Sequence, residues 1–526
     1  MALSLRRDRT DDEEREASRD TVQKLLKLYI PEWRKNKERV DKIDRWYRDR
    51  LEAEDKPVIP NAANREYREL RDRSQTPWLG LIVTSVAQSI FVDGYRRPED
   101  PGNAAAWEFW QANGLDGKQM MIHRDALAHG LAYTVVQPGL DPLSGTEMPV
   151  IEGVSSIDMI AMYTNPAWDE WPTYALRGDA MHLVGGQKKM RWTFYDTDSV
   201  WTFDGDEGSD TPLFIESQPH GAAVCPVVRF ANKMDLRGRS DGEVEPFIPL
   251  ASRINQDTFD RMVVGRFGAW RVRYATGMAE PDTDDEKRAV KLVLKQGDLL
   301  VNESPDGRFG TLEPTSLDGY IKSEENDIRE LAATSQTPSH EMLGQMANLS
   351  AEALAAAEAS LMRKVSERQH SFGESWEQTL RLAAHVSGDN AGAAAFDAQV
   401  RWRDTESRSL AQAADAITKL HQIGVPFEML LEKLPGWTQQ DVERAKQLVE
   451  ANDPFAGFAD QLAGGMTPAE DPAETKAKAD AMGVLVRAGV DPLDAAARVG
   501  FSGLKFTGAV PTSLRIPESQ AGALEE

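Results

Sequence analysis

The chain has 526 residues, too many for one hydrophobic core and enough for two to four domains; 41% hydrophobic content with 13 tryptophans marks a globular protein rather than a disordered one. No run approaches the ~18 uninterrupted apolar residues of a membrane span, the N-terminus lacks the apolar core of a signal peptide, and a single cysteine, Cys225, excludes an internal disulfide and a thiolate metal cluster and suits a reducing cytoplasm. Against 61 basic residues stand 85 acidic ones, a net charge of −24, and residues 1–50 hold 15 basic and 12 acidic side chains, so the acidic surplus lies beyond them. A tight nucleic-acid binder shows a basic patch that displaces counterions from phosphates; this chain lacks one in sequence, so DNA that meets it should move past loosely.

In chain order, residues 1–18 read as a mobile charged tail and 21–50 as helix, with Pro31 a kink or break. Residues 78–92 read as a buried helix stopped at Asp93-Gly94. Two helices follow at 107–114 and 118–130, the second running into a strand at 132–137. From 151 to 230 short strands and turns dominate, with strands at 173–177, 182–184, 191–195, 199–203 and 227–230. Helical period returns at 249–267 and again at 320–335. Between these two helices lies an insert of roughly 45 residues, with strands at 271–275, 298–302 and 309–313 and a helix at 284–296.

The most informative segment runs from Gln336 to His385. Pro338 stops the preceding helix, and a short loop with Gly344 leads to Ser350, a cap for a helix of some 35 residues. Leu354, Leu361, Val365, Phe372, Trp376 and Leu380 form its apolar face; Arg363, Lys364, Glu367, Arg368 and Glu374 are assigned to the opposite one. Residues 399–403 read as a lone strand completing the earlier sheet. Residues 416–437 and 484–501 are two similar helical hairpins, each with Gly and Pro between its helices, joined by a 453–471 linker.

Few motifs promise chemistry. Gly238-Arg239-Ser240-Asp241-Gly242 spells the nucleophile elbow, but that device needs a strand into the serine and a helix out of it, and here polar loop precedes and prolines follow. Asp204-Gly205-Asp206-Glu207-Gly208-Ser209-Asp210 resembles a calcium loop with its glycine at the fifth position and no glutamate at the twelfth, so an acidic hairpin turn fits better. His340-Glu341 lacks the second histidine of a zinc helix, and His123 and His129, six apart, share no face and read as surface or core residues. Cys225 reads as a small buried residue. No phosphate-binding loop is present, so energy for any pumping would come from another protein. Neither metal nor cofactor is expected, and nothing commits the chain to catalysis.

The loop held between two helices, the Ser-Ala-Glu-Ala-Leu start of the long helix, and Gln-His-Ser-Phe-Gly-Glu-Ser-Trp-Glu-Gln within it resemble tailed-bacteriophage portal proteins. So do the Gly-Arg-Ser element after Pro226-Val227-Val228-Arg229-Phe230-Ala231-Asn232, the Val92-Asp93-Gly94-Tyr95 and Ile254-Asn255-Gln256-Asp257 segments, and Phe506-Thr507-Gly508-Ala509-Val510-Pro511. The resemblance extends over roughly residues 20–515 and is best to portals of long-tailed phages of Gram-positive hosts. It implies an α+β, helix-dominated portal fold: a mobile tail at 1–18, a wing at 19–245 and 337–404, a two-helix stem at 246–270 and 319–336, an α/β clip at 271–318, a helical crown at 405–515 and a tail at 516–526. The wing includes the tunnel loop, 344–349, and the long helix, 350–385.

It further implies a ring, by resemblance a dodecamer, at one capsid vertex of the virion, formed in the host cytoplasm. That ring would be the channel for viral DNA packaging and ejection and the docking site for terminase and the head-tail adaptor, with the major capsid and scaffold proteins as further partners. Duplex DNA would pass without sequence specificity, along Gly344, Gln345, Met346 and Asn348 of the tunnel loop and Lys322, Glu325 and Arg329 of the stem. Ring closure needs two different faces of the subunit, expected on the long helix and the stem helices. The rivals are an α/β serine hydrolase using Ser240 and another capsid-associated structural protein without a channel.

Overall fold

Val22, Leu26, Ile30 and Trp33, four and three residues apart, put one apolar stripe on helix α1 (Asp11–Tyr47), and that stripe is buried against a five-stranded sheet. The computed structural model describes residues 11–60, 65–97, 104–141, 143–182, 188–206, 208–268, 273–276, 308–311, 315–344, 351–403, 410–423, isolated positions between 425 and 448, 472–488 and 490–501. Two departures from expectation appear in α1. Helix begins at Asp11, inside the segment expected to be a mobile tail, and it runs through Pro31 without interruption. Ile30 and Trp33, both fully or nearly buried, flank the proline, and their packing outweighs the missing backbone bond.

After α2 (Arg65–Arg73) and α3 (Trp78–Ala87), strand β1 (Val92–Arg96) stands where the sequence suggested the end of a helix. Thr84, Ser85 and Ser89 hydroxyls donate back to the carbonyls of Gly80, Leu81 and Ser85, competing with the helix near its last turn. Asp93-Gly94 lies in the strand, which pairs antiparallel with β12 (Gln399–Trp402). These two form a sheet of their own, so the late strand does not complete the larger sheet as expected.

Helices α4 (Trp107–Ala112) and α5 (Leu115–His129) lead into β2 (Leu131–Leu140), β3 (Glu147–Ser155) and β4 (Met159–Met162). Then come β5 (Tyr174–His182), β6 (Lys188–Tyr195), β7 (Ser199–Asp206), β8 (Leu213–Pro219) and β9 (Val227–Ala231). β4 to β8 form an antiparallel meander, and β3-β2-β9 form a three-stranded antiparallel sheet. Alternation along β2 sets the packing: Ala132 and Val136 face the helices, Tyr133 and Val135 face Tyr195 and Ala175 of the meander. Gly178 is required in β5, because a Cβ there would fall 2.7 Å from Trp192 and 2.8 Å from Trp33. Those two indoles meet edge to face with centroids 4.8 Å apart.

A 3-10 turn (Glu245–Phe247) opens α6 (Ile248–Gly268). Of the insert, the structure describes β10 (Arg273–Thr276) and β11 (Arg308–Thr311), paired antiparallel; the expected helix at 284–296 and strand at 298–302 lie outside the described residues. Next follow α7 (Asp318–Ser335), α8 (Ser339–Leu343), the long α9 (Ala351–Val386) and α10 (Asn390–Ala393). The chain divides into two units, Met1–Glu406 and Ser407–Glu526. In the second, the structure describes α11 (Leu410–Gln422) and a hairpin of α12 (Pro472–Arg487) and α13 (Pro492–Val499). Asp491 caps α13 by accepting from the Leu493 N–H, Pro492 occupies its first turn, and Gly500 ends it at φ +90°. The linker at 453–471 and the segment 506–511 lie outside the described residues.

Candidate functional site

Long helix α9 buries Leu361, Val365, Phe372, Trp376 and Leu380, the apolar face read from the sequence; the side chain of Leu354 lies outside the described residues. The polar face needs correction. Arg363, Glu367 and Glu374 are exposed, but Lys364 and Arg368 are each only 1% exposed. Their partner is Glu243, fully buried just ahead of α6, whose two oxygens lie 2.7 Å from Lys364 Nζ and 3.3 Å from Arg368 Nη2. Burial alone would raise the Glu243 carboxyl; Lys364 and Lys233 beside it overcome that and hold its pKa at about 2. With so much of α9 inside its own subunit, the polar stripe of Arg363, Ser366, Glu367, His370 and Glu374 is the main exposed surface in the middle of this helix.

Helices α6 and α7 form an antiparallel hairpin tied by polar side chains. Arg253 donates to Asp327 at 2.6 and 3.0 Å and to Glu330 at 2.7 Å; Ser323 donates to Asp257 at 2.8 Å, and Thr258 and Arg261 hold Glu324. Residues 253, 257 and 261 are one turn apart, as are 323–324, 327 and 330–331, which is why each turn of one helix meets a turn of the other. Sequence reading missed this ladder, although the four-residue spacing of polar groups on both helices could have revealed it.

The ladder uses Glu324, Asp327 and Glu330, leaving Lys322, Glu325 and Arg329 together on another stripe of α7. Arg329 pairs with Glu325 at 2.9 Å, and among the described residues Lys322 is exposed with no ion-pair partner. The helix as a whole is acidic, but this stripe carries two cations and one carboxylate.

α7 ends at Gln336, a non-glycine residue at φ +57°, whose N–H donates to Ala332 O; Thr337 N–H donates to the same carbonyl at 3.0 Å. Pro338 then starts α8, which closes at Gly344 with φ +64°. Gln345, Met346 and Asn348, the other expected tunnel-loop residues, lie outside the described residues, as does Ser350. Because a left-handed conformation strains any residue with a Cβ, Gln336→Gly is expected to raise stability by about 0.5–1 kcal/mol in chemical denaturation.

The Gly-Arg-Ser element is a structural lock. Ser240 Oγ donates to Gly130 O at 2.7 Å, Asn232 N–H donates to the same carbonyl at 3.0 Å, and Glu243 N–H reaches Leu127 O at 2.7 Å. A Cβ on Gly242 would sit 2.2 Å from Ala128 O, and one on Gly130 2.4 Å from Ser240 O, so backbone meets backbone where α5 ends. The serine is buried, its proton is used on a carbonyl, and among the described residues no histidine bonds it. That geometry disfavours the hydrolase reading.

The other motifs also resolve into structure. Asp204 is held bidentate by Arg191 and Asp210 pairs with Arg34, in the turn between β7 and β8; among the described residues no group of three or more potential metal ligands exists. Both helix histidines are core residues. His123 accepts from Trp376 Nε1 at 2.8 Å and faces Ile90 O at 3.3 Å, and burial lowers its pKa to about 3. His129 lies between Asp125 and Asp44. Cys225 is buried, its thiol directed at Tyr195 O, and burial pushes its pKa up. Among the described residues no helix is long and apolar enough to cross a membrane.

The family model described as phage portal protein, SPP1 Gp6-like, matches residues 26–454. Proteins named portal protein from Mycobacterium phages D29 and L5 are each 27% identical over 358 residues, covering 65% of this chain and 72% of the relative. A solved structure described as the neck of an empty GTA particle computed with C6 symmetry aligns with 72% of this chain and 96% of its own at 11% identity and a TM-score of 0.38, too distant a likeness to bear on the fold.

Proposed function

This chain belongs to the SPP1 Gp6-like family of phage portal proteins, and from that premise we propose that it assembles into a ring at one capsid vertex and serves as the channel for DNA packaging and ejection. The observation that carries the reading is the extent of the family match, from the middle of α1 to beyond α11, across the two-helix hairpin and the long helix. Closed ring assembly requires a heterologous interface, and the exposed stripe of α9 and the exposed α7 positions outside Lys322, Glu325 and Arg329 are surfaces available for it. Twelve copies, assembly in the host cytoplasm, and contacts with terminase, a head-completion adaptor, capsid and scaffold proteins complete the proposal. In it the hairpin of α6 and α7 is the stem, residues 271–318 the clip that docks terminase and then the adaptor, and residues 405–515 the crown.

Within the ring, Lys322, Glu325 and Arg329 face the channel, and Gly344, Gln345, Met346 and Asn348 form its narrowest part. The purified protein should elute at several hundred kilodaltons and show rings with a central hole by negative stain; a monomer labelled by a serine-reactive probe would favour the hydrolase. Deleting residues 344–348 should leave rings intact and impair DNA filling of heads, and normal filling would remove the tunnel-loop assignment. Duplex DNA should bind the rings with Kd no tighter than about 1 μM near physiological salt, because a wall that releases many counterions holds the duplex instead of letting it slide. Lys322→Glu should weaken that binding further, read by fluorescence anisotropy. Nanomolar binding with a steep salt dependence would contradict a sliding conduit.

A further inference from the structure

We propose that Lys364 is the positioning residue that ties both feet of the stem hairpin to the long helix, so that stem and α9 move as one body. The inference rests on the portal reading for its purpose and on geometry for its substance. Lys364 Nζ lies 2.7 Å from Glu243 Oε2 and donates to Ser335 O at 2.9 Å. Glu243 stands just before the 3-10 turn that opens α6, and Ser335 is the last residue of α7. One ammonium therefore touches the chain where it enters the hairpin and where it leaves.

Chemistry favours a cation at this point. The last carbonyls of α7 lack helical partners and carry the negative end of its dipole, and Ser335 O is one of them. Arg368, one turn further along α9, shares Glu243 with Lys364, while Lys233 at 3.2 Å and Asn232 Nδ2 at 3.1 Å hold the carboxylate from outside that helix. Its own N–H is held by Leu127 O at the end of α5. The carboxylate cannot follow Lys364 if α9 shifts alone. Lys364 and Glu243 side chains are 1% and 0% exposed, and a buried ion pair is commonly no more stabilising than apolar residues of equal volume. Stability alone gives little reason for charge here. A directional tie between three chain segments does.

Two measurements test it. In wild-type rings, backbone hydrogen exchange should show the last turn of α7, the first turn of α6 and residues 361–368 opening as one unit, with protection factors within about threefold. Stem ends that open more than about tenfold more readily than 361–368 would overturn the tie. The second test compares Lys364→Met with the double variant Glu243→Gln, Lys364→Met. The single variant leaves a buried carboxylate short of its nearest partner and should melt lower. The double variant should still assemble rings but regain only part of the melting temperature, because Arg368 also loses its buried carboxylate, and it should package DNA roughly tenfold less than wild type and exchange faster at residues 332–337. A double variant that assembles and packages like wild type would show that the pair is only structural. Wild-type chains that form no ring and package no DNA would instead defeat the portal reading itself.

Discussion

Trp376→Ala is expected to destabilise the subunit by about 3–5 kcal/mol, the range for removing a large aromatic side chain from a packed core. Trp376 is fully buried on α9, with its ring 4.7 Å from Trp110 and 4.8 Å from Phe230, centroid to centroid. It joins three layers at once: α4, strand β9 of the three-stranded sheet and, through its Nε1–H, His123 of α5. Alanine opens a cavity and also leaves the neutral imidazole of His123 without its donor. A domain holds only about 5–15 kcal/mol in total, so most of its margin would go. Trp376→Phe keeps most of the ring area and loses the hydrogen bond, and should cost about 1–3 kcal/mol. Trp168, 75% exposed, is the control: its alanine variant should fall within about 0.5 kcal/mol of wild type. Urea denaturation followed by far-UV circular dichroism separates the three, and a Trp376→Ala midpoint equal to that of Trp168→Ala would show that α9 is not the central strut.

What the sequence made legible follows from the range of each interaction. The apolar face of α9 is a local pattern, and Leu361 to Leu380 lie where their spacing placed them. Helix–insert–helix order was legible for the same reason, since α6 and α7 each carry their own period. Lys364 and Arg368 were assigned to solvent because a helical pattern rates charge as outward, and Glu243, 125 positions before Arg368, cannot be seen within any window. β1 was read as a helix end because Asp93-Gly94 is a stop signal; its partner β12 lies about 300 residues away, with Val92 opposite Trp402. Pro31 is a case of tertiary packing overriding a local rule. Of the candidate site, Lys322, Glu325 and Arg329 were singled out through the family resemblance, and their three- and four-residue spacing puts them on one stripe of α7, whereas the ladder beneath it required knowing that α6 and α7 lie side by side.

Raising the pH from 6.5 to 9 is expected to loosen the docking of α1 on α5, and His129 is the reason. Its ring is 1% exposed, with Nδ1 3.1 Å from Asp125 and Nε2 3.4 Å from Asp44, one carboxylate on each side. Burial opposes the imidazolium, but the carboxylates of Asp125 and Asp44, one beside each ring nitrogen, outweigh it and raise the pKa to about 9. Arg48, also on Asp44, keeps that carboxylate ionised, and Asp44 itself is lowered from its ordinary value, burial opposing and His129 and Arg48 prevailing. A group whose pKa is raised on folding contributes fully below its unfolded value, near 6.5, and loses that contribution as pH rises through the folded value. The window is therefore pH 6.5 to 9, and the loss is on the order of 3 kcal/mol at most, since each unit is worth about 1.4 kcal/mol. Once neutral, the ring has one N–H for two carboxylates, and one of them meets a lone pair. His129→Gln cannot titrate, so its melting temperature should be lower than wild type at pH 6 and nearly flat to pH 9, where wild type falls towards it. Parallel melting curves for the two proteins across that window would mean that His129 is neutral in the fold and that its charge does not hold α1.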